Sequence, residues 1–418
     1  MSKTPKLRFK EFSGDWESKR LGELGEFRKT YSFSRNVEGE GNYKHIHYGD
    51  IHMNYKGIIS KDKLIPSIDI PNNDHYEFIK ERDIIFADAS EDRKDLGKIA
   101  VVRNIEGKIL SGLHTFCFRP KESLNGEFFL NHSLNKEYLK FIYTRGNGAK
   151  VLGISKSNLS EYKFLAPSIE EQDKIASFFS LIDDKISLQD EKVEALKDYK
   201  KGMMQKIFSR ELRFKDDDGR DYPEWEEKKI KEMELYISDG NYGEAYPTSS
   251  DMVEEGVPFL RGNNINNGYL NFNDMKYITP EKHSELLSGH IKSEDIIITV
   301  RGDIGKVGFA TCEYEGANMN AQLALIRVKC KKIDARYLHQ YMNTAEFYKE
   351  VLKRQTGTAL KQLPIGKLKD ISLKLPNIEE QRKISLILCG LDSKLEKEQE
   401  KLDSLNKYKK GLLQQMFV

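Results

Sequence analysis

Side chains that carry paired hydrogen-bond donors and acceptors gather in a few short runs of this chain. Arg261-Gly262-Asn263-Asn264, Arg301-Gly302 and Asn320-Ala321-Gln322 put arginine, asparagine and glutamine on or beside predicted loops. Arginine matches the major-groove edge of guanine, and asparagine or glutamine matches that of adenine. In the first half of the chain the candidates for the same work are His47, Asp50, Arg93, Lys94 and His114. Each can also be an ordinary turn residue or surface charge. Cations suited to phosphates stand in two basic stretches, with Lys150 and Lys156 in one and Lys353, Arg354 and Lys361 in the other. Tyr31, Tyr48 and Tyr242 fit base contact and domain packing equally well.

Catalytic patterns are missing. Gly302-Asp303-Ile304-Gly305-Lys306 has the wrong spacing for a phosphate-binding loop, and Gly146-Asn147-Gly148 is too short a match to a dinucleotide fingerprint. No HExxH or GxSxG occurs, nor the Asn/Asp-Pro-Pro-aromatic element of amino-methyltransferases. His45-Ile46-His47 with His52 is the one histidine cluster, and polar contact is the expected role for it. Asp83, Asp88, Asp295 and Asp303 sit at strand ends and turns, where carboxylates cap backbone groups. Cys117, Cys312, Cys330 and Cys389 form no CxxC pair, so they read as reduced thiols and no metal is expected. The chain reads as a binder.

With 418 residues the chain suits two to four domains. Its charge of +2 gives no global pull towards an anionic partner, which leaves the local basic stretches as the electrostatic signal. No signal-peptide run or membrane span is apparent, so a cytoplasmic location is expected.

The elements that must position these side chains come in two copies. Leu7-Arg8-Phe9-Lys10 before Trp16 returns as Leu212-Arg213-Phe214-Lys215 before Trp225. Asp83-Ile84-Ile85-Phe86 matches Asp295-Ile296-Ile297-Ile298, and Thr115-Phe116-Cys117-Phe118-Arg119 matches Leu323-Ala324-Leu325-Ile326-Arg327. These short β-branched or aromatic runs predict strands. Pro167-Ser168-Ile169-Glu170-Glu171-Gln172 returns as Pro376-Asn377-Ile378-Glu379-Glu380-Gln381, and both copies end in Tyr-Lys-Lys-Gly and a phenylalanine. About 18 of these 42 aligned positions are identical, which marks an internal repeat. The stretches at about 25–80 and 234–292 diverge, as two copies built to recognise different things would.

Each duplicated segment carries an apolar stripe at 3-4 spacing. It runs Ile175, Phe179, Ile182, Ile186, Val193, Leu196 in the first, and Ile384, Leu388, Leu391, Leu395, Leu402, Leu405 in the second. Two polar exceptions, Gln189 and Lys200, recur at equivalent places as Glu398 and Lys409. About 40 residues make a helix of about 60 Å, and a lone helix with this stripe would expose a long apolar seam. The two are expected to pack antiparallel, with the polar exceptions fixing register.

These motifs, in this order and doubled, resemble the DNA-specificity subunit of type I restriction–modification systems over essentially the whole chain. Asp295-Ile296-Ile297-Ile298-Thr299-Val300-Arg301-Gly302-Asp303-Ile304-Gly305-Lys306 and Gly256-Val257-Pro258-Phe259-Leu260-Arg261 add to the resemblance. The first repeat departs from it at 89–94 and shows no counterpart of Gly-Val-Pro-Phe-Leu. The resemblance implies an α+β fold with target-recognition domains at 1–166 and 210–375, separated by long helices at 167–209 and 376–418 that pack as an antiparallel coiled coil. It further implies that each domain reads half of a bipartite double-stranded DNA target. Two methyltransferase subunits and motor–nuclease subunits would be the partners. S-adenosylmethionine, ATP and Mg²⁺ would belong to those partners. A coiled-coil adaptor without DNA binding, or an enzyme with an unfamiliar site, is the alternative.

Overall fold

The computed structural model describes residues 3–73, 75–148, 150–240, 246–358 and 360–418. Two long helices stand out, Ile169–Phe208 and Ile378–Met416. The chain divides into two units, Met1–Glu191 with Glu400–Val418, and Lys192–Gln399. Each unit therefore holds one half of each long helix.

In the first unit a five-stranded sheet has the order Gly25–Phe27, Thr115–Pro120, Ile84–Ala87, Ile99–Val102, Ile58–Ile59. Successive residues of a strand point to opposite faces. Ile84 and Phe86 accordingly enter a core with Phe118, Phe128, Phe129 and Ile175, while Ile85 and Ala87 enter another with Ile46, Ile109 and Cys117. Burial on both faces is why the sequence here reads as an unbroken apolar run. A second sheet pairs Glu38–Ile46 antiparallel with Ser67–Ile68 and parallel with Ile109–Ser111.

The second unit repeats the plan. Its sheet runs Leu235–Asp239, Leu323–Val328, Ile296–Thr299, Val307–Phe309. Ile296 and Ile298 face a core with Tyr337, Phe347 and Ile384, and Ile297 faces Leu260, Met319 and Leu325. Val257–Leu260 again lies parallel to a short strand, Asn318–Met319.

A buried ion pair secures the same corner of each main sheet. Arg119 donates from Nε and Nη2 to Asp83 at 2.9 and 2.8 Å, and Arg327 donates likewise to Asp295 at 2.6 Å twice. Both aspartates are fully buried. Each also accepts from a backbone N–H three residues earlier, Lys80 at 2.8 Å and Lys292 at 2.7 Å, which is the capping role expected for them.

The duplicated Glu-Glu-Gln explains itself at the start of each long helix. The second glutamate and the glutamine are buried in both copies, with Glu171, Gln172, Glu380 and Gln381 at most 2% exposed. Glu171 accepts from Arg8 Nε and Nη2, both at 2.7 Å; Glu380 accepts from Arg213 at 3.3 and 3.0 Å and from Trp225 Nε1 at 3.0 Å. Gln172 Nε2 donates to Ser123 O and Pro167 O, and its Oε1 accepts from Asn125 N. Gln381 does the same with Lys332 O, Pro376 O and Asp334 N. The Leu-Arg-Phe opening of each repeat is thus duplicated because it delivers the arginine to the helix start.

Within each unit the helix halves lie antiparallel. In the first, the Phe179 and Phe417 rings are 6.0 Å apart and Asp183 pairs with Lys409 at 2.5 Å. In the second, Lys192 pairs with Glu398 at 2.5 Å and Lys200 with Asp392. None of the twelve apolar stripe residues is exposed; Ile186, Leu196, Leu391, Leu395 and Leu405 are half-buried, and the rest are buried. Three of the four polar exceptions, Lys200, Glu398 and Lys409, are ion-paired across the seam, so they meet a partner instead of breaking the stripe.

Two outcomes follow. Glu380→Ala removes the buried partner of both Arg213 and the Trp225 indole N–H, although Arg213 keeps Glu224, Tyr222 O and Pro223 O, and should cost about 3–5 kcal/mol. Glu171→Ala removes the partner of Arg8 alone, because Trp16 Nε1 makes no hydrogen bond among the described residues, and should cost about 1 kcal/mol less. Thermal melting compares the two; equal losses would show that the indole bond contributes nothing. His132 and His339 are buried, which lowers their pKa values to about 3 and about 4. The unfolded imidazoles take up protons near pH 6.5 that the folded ones refuse, so stability is full above about pH 6.5 and falls towards pH 4. Melting between those limits should show the decline, and His132→Gln should flatten it; an unchanged slope would refute that origin.

Candidate nucleic-acid interface

In the second unit four loops join edge to edge through backbone hydrogen bonds. Asn320 N donates to Leu260 O at 2.9 Å, tying the loop after Val257–Leu260 to the turn before Leu323. Val300 N donates to Gln322 O at 2.8 Å, Leu363 N to Val300 O at 2.8 Å, and Gly302 N to Lys361 O at 3.0 Å. The result is one continuous ledge carrying Arg261, Asn263, Asn264, Arg301, Asn320, Gln322 and Lys361.

The first unit is wired alike. Gly112 N donates to Ile46 O at 2.9 Å, Asp88 N to His114 O at 3.2 Å, and Ile154 N to Asp88 O at 2.9 Å. A bridge between Asn147 and Gly153 corresponds to the one between Thr356 and Gln362. This ledge carries His47, Asp50 and His114, with the exposed Lys150 on the hairpin.

Not every candidate faces outward. Asn264 is fully buried: its Oδ1 accepts from Arg261 N at 3.0 Å and its Nδ2 donates to Asn271 O and Asn273 O. Asp50 is 1% exposed and accepts from His47 N at 3.0 Å, Arg35 Nη2 at 2.9 Å and Asn54 Nδ2 at 3.1 Å. Both residues shape their loops from inside, which corrects the expectation that they contact bases. They also reveal what the sequence hid. Tyr43-Lys44-His45-Ile46-His47 is the first repeat's counterpart of Val257-Pro258-Phe259-Leu260-Arg261, with the same parallel partner strand and the same cap three residues on. Almost no identity survives between the two runs; the cap spacing to Asp50-Ile51 and Asn264-Ile265 was the one readable signal. Arg35, which holds Asp50, was missed altogether.

The remaining candidates vary in exposure. Arg261 is half-buried and donates from Nη2 to Asp274 Oδ2 at 2.9 Å, and Asn263 Nδ2 reaches the same carboxylate at 3.4 Å. That arginine lowers the Asp274 pKa. Arg301 is half-buried beside the hairpin, paired in a bridge with Gln362. Arg93 and Lys94 are exposed, and Lys94 pairs with Asp92 at 3.0 Å. Lys156 donates to Arg28 O at 3.2 Å and stands over the Phe116 ring, so it is half-buried packing rather than a free cation. Lys353 and Arg354 both pair with Glu350, which offsets the charge of that basic stretch; Lys353 nonetheless has a 69% exposed side chain. His47 is buried, and burial followed by the nearby Arg35 lowers its pKa. Its ring lies 6.5 Å from that of His45, whose Nε2 meets Glu38 at 3.2 Å. Tyr31 stacks on Phe33 inside a small aromatic cluster, Tyr48 packs among His47, His52 and His114, and Tyr242 lies outside the described residues. No described helix is long and apolar enough to cross a membrane.

Two α+β domains with a common ledge, each clamped to a shared pair of helices, define a duplicated recognition scaffold. The chain belongs to the family of type I restriction modification DNA specificity domains, whose model matches residues 13–198 and again 222–407. It is 26% identical over 423 residues to the specificity subunit of the type I restriction enzyme MjaVIII of Methanocaldococcus jannaschii, covering 97% of this chain and 94% of that one. The fold is similar to that of a type I restriction–modification S subunit from M. genitalium, with a TM-score of 0.63 at 16% identity over 99% of both chains. A chain from another solved type I restriction–modification system aligns with a TM-score of 0.53 at 18% identity, over 95% of this chain and 96% of that one.

The loop-shaping role gives a direct test. Asn264→Ala removes a cap and two buried donors and should cost about 1–3 kcal/mol. Asn264→Asp keeps the acceptor for Arg261 N but sets an unpaired buried carboxylate against Asn271 O and Asn273 O, so it should cost more than alanine. Denaturant unfolding ranks the three; aspartate better than alanine would show that the two carbonyl contacts are not what holds the loop.

Proposed function

We propose that this chain is the non-catalytic DNA-recognition subunit of a type I restriction–modification complex. Each repeat reads one half of a bipartite DNA target through its ledge. Two partner methyltransferase subunits then methylate adenine with S-adenosylmethionine, and motor–nuclease subunits cleave with ATP and Mg²⁺. The observation that carries the reading is the doubled ledge: identical backbone wiring in both repeats, with a different set of outward side chains on each. A scaffold that fixes geometry while varying donors and acceptors suits the reading of two different base sequences. The family membership and the likeness to the MjaVIII specificity subunit support the same reading.

The two halves should be separable. Exchanging residues 212–375 for the matching region of a relative should change one half of the methylated sequence and leave the other intact. Methylome sequencing of cells carrying the hybrid and its partner subunits reads this directly. Alteration of both halves would refute independent reading.

A further inference from the structure

The residue immediately ahead of the same sheet strand in each repeat shares its place and differs in chemistry. His114 precedes Thr115–Pro120, and Gln322 precedes Leu323–Val328. Their carbonyl oxygens accept the equivalent ledge bonds, from Asp88 N and Val300 N. The backbone is thereby fixed, while both side chains are exposed. His114 moreover holds φ at 55°, a left-handed conformation that costs energy for a residue with a Cβ and is found where surroundings impose it.

Each exposed side chain is aimed by a partner beneath it. His114 Nδ1 lies 3.3 Å from Asp88 Oδ1, within ion-pair distance of a buried oxygen that accepts no hydrogen bond among the described residues. The Tyr48 ring meets the imidazole edge to face at 5.4 Å. In the second repeat, Asn320 is 6% exposed and donates from Nδ2 to Gln322 Oε1 at 3.1 Å, while its own Oδ1 accepts from Gln322 N at 3.1 Å. A surface side chain without a task does not need a buried group committed to its orientation; a reading side chain does.

We propose that His114 and Gln322 are the specificity-determining side chains of the two repeats, with Asp88 and Asn320 as their positioning residues. The proposal rests on the DNA-reading function above and names the groups that perform it. What each presents follows from the atom already engaged. Asn320 occupies one lone pair of the Gln322 oxygen, leaving the amide N–H groups and a second lone pair outward, the combination that fits adenine N7 and N6. Asp88 lies against Nδ1, which leaves Nε2 as the ring nitrogen that faces outward. A single ring nitrogen meets one group of a base edge where the Gln322 amide matches two, so the two half-sites call for different bases at the equivalent position.

The test uses the full chain assembled with its methyltransferase partners and a randomised duplex DNA library. His114→Asn tolerates the left-handed backbone, and should weaken discrimination at one position of one half-site by about ten-fold, with the other half unchanged. Asp88→Ala, with His114 still present, should weaken discrimination at that same position and at no other, which loss of packing alone would not do. Gln322→Glu keeps an acceptor for Asn320 but turns the outward donor into an acceptor, so preference in the other half should move from adenine towards cytosine. An unchanged base preference, or equal weakening of all DNA, on His114→Asn overturns the proposal. Failure of the native complex to select any sequence would instead overturn the DNA-reading function beneath it.

Discussion

A carboxylate buried at the first turn of each long helix is the constraint on which the rest depends. Glu171 and Glu380 are out of water, and each is neutralised by an arginine from the opening segment of its own repeat. An unpaired buried charge costs several kcal/mol, so neither the helix start nor the opening segment can move independently. The adjacent glutamines extend the clamp by accepting from the backbone N–H of Asn125 and Asp334, which cap the next helices. Sheet, short helices and long helix thus meet at one polar point inside an apolar core. Hydrophobic burial holds each unit together, and this point sets the geometry within it.

The same division between holding and presenting recurs at the ledges. Asp50 and Asn264 look like readers from their types and are buried props; His114 and Gln322 stand on the surface above props of their own, half-buried Asp88 and buried Asn320. In the second repeat the prop is a neutral amide, and in the first it is a carboxylate that burial drives to a raised pKa, opposed chiefly by His114. Conserved wiring with exchanged side chains lets one backbone carry two unrelated surface chemistries. It also explains why the two repeats align well along their strands and helices and poorly elsewhere.

Much of this architecture was legible from the residues. The helix stripes and strand runs follow from periodicity, because apolar burial writes itself into spacing. The doubled Glu-Glu-Gln was visible as a repeat but opaque as a mechanism, since its partners lie up to 167 residues away. The match between His47 and Arg261 was hidden for a related reason. A parallel strand partner and a cap constrain backbone and burial but accept many side chains, so Lys44-His45-Ile46 and Pro258-Phe259-Leu260 serve alike. The basic stretch at Lys353 holds a pairing that net composition does not show: Glu350 meets both Lys353 and Arg354 at helical spacing.

The first unit closes its core with Leu412, Met416 and Phe417, against Trp16 and Phe128 from the opposite end of the chain. During synthesis, therefore, the segments around Trp16 and Phe128 cannot complete their core until residues 412–417 have emerged from the ribosome. For most of that interval the aromatic core lacks a wall. A message cut short before those residues yields a chain whose first unit is incomplete as well.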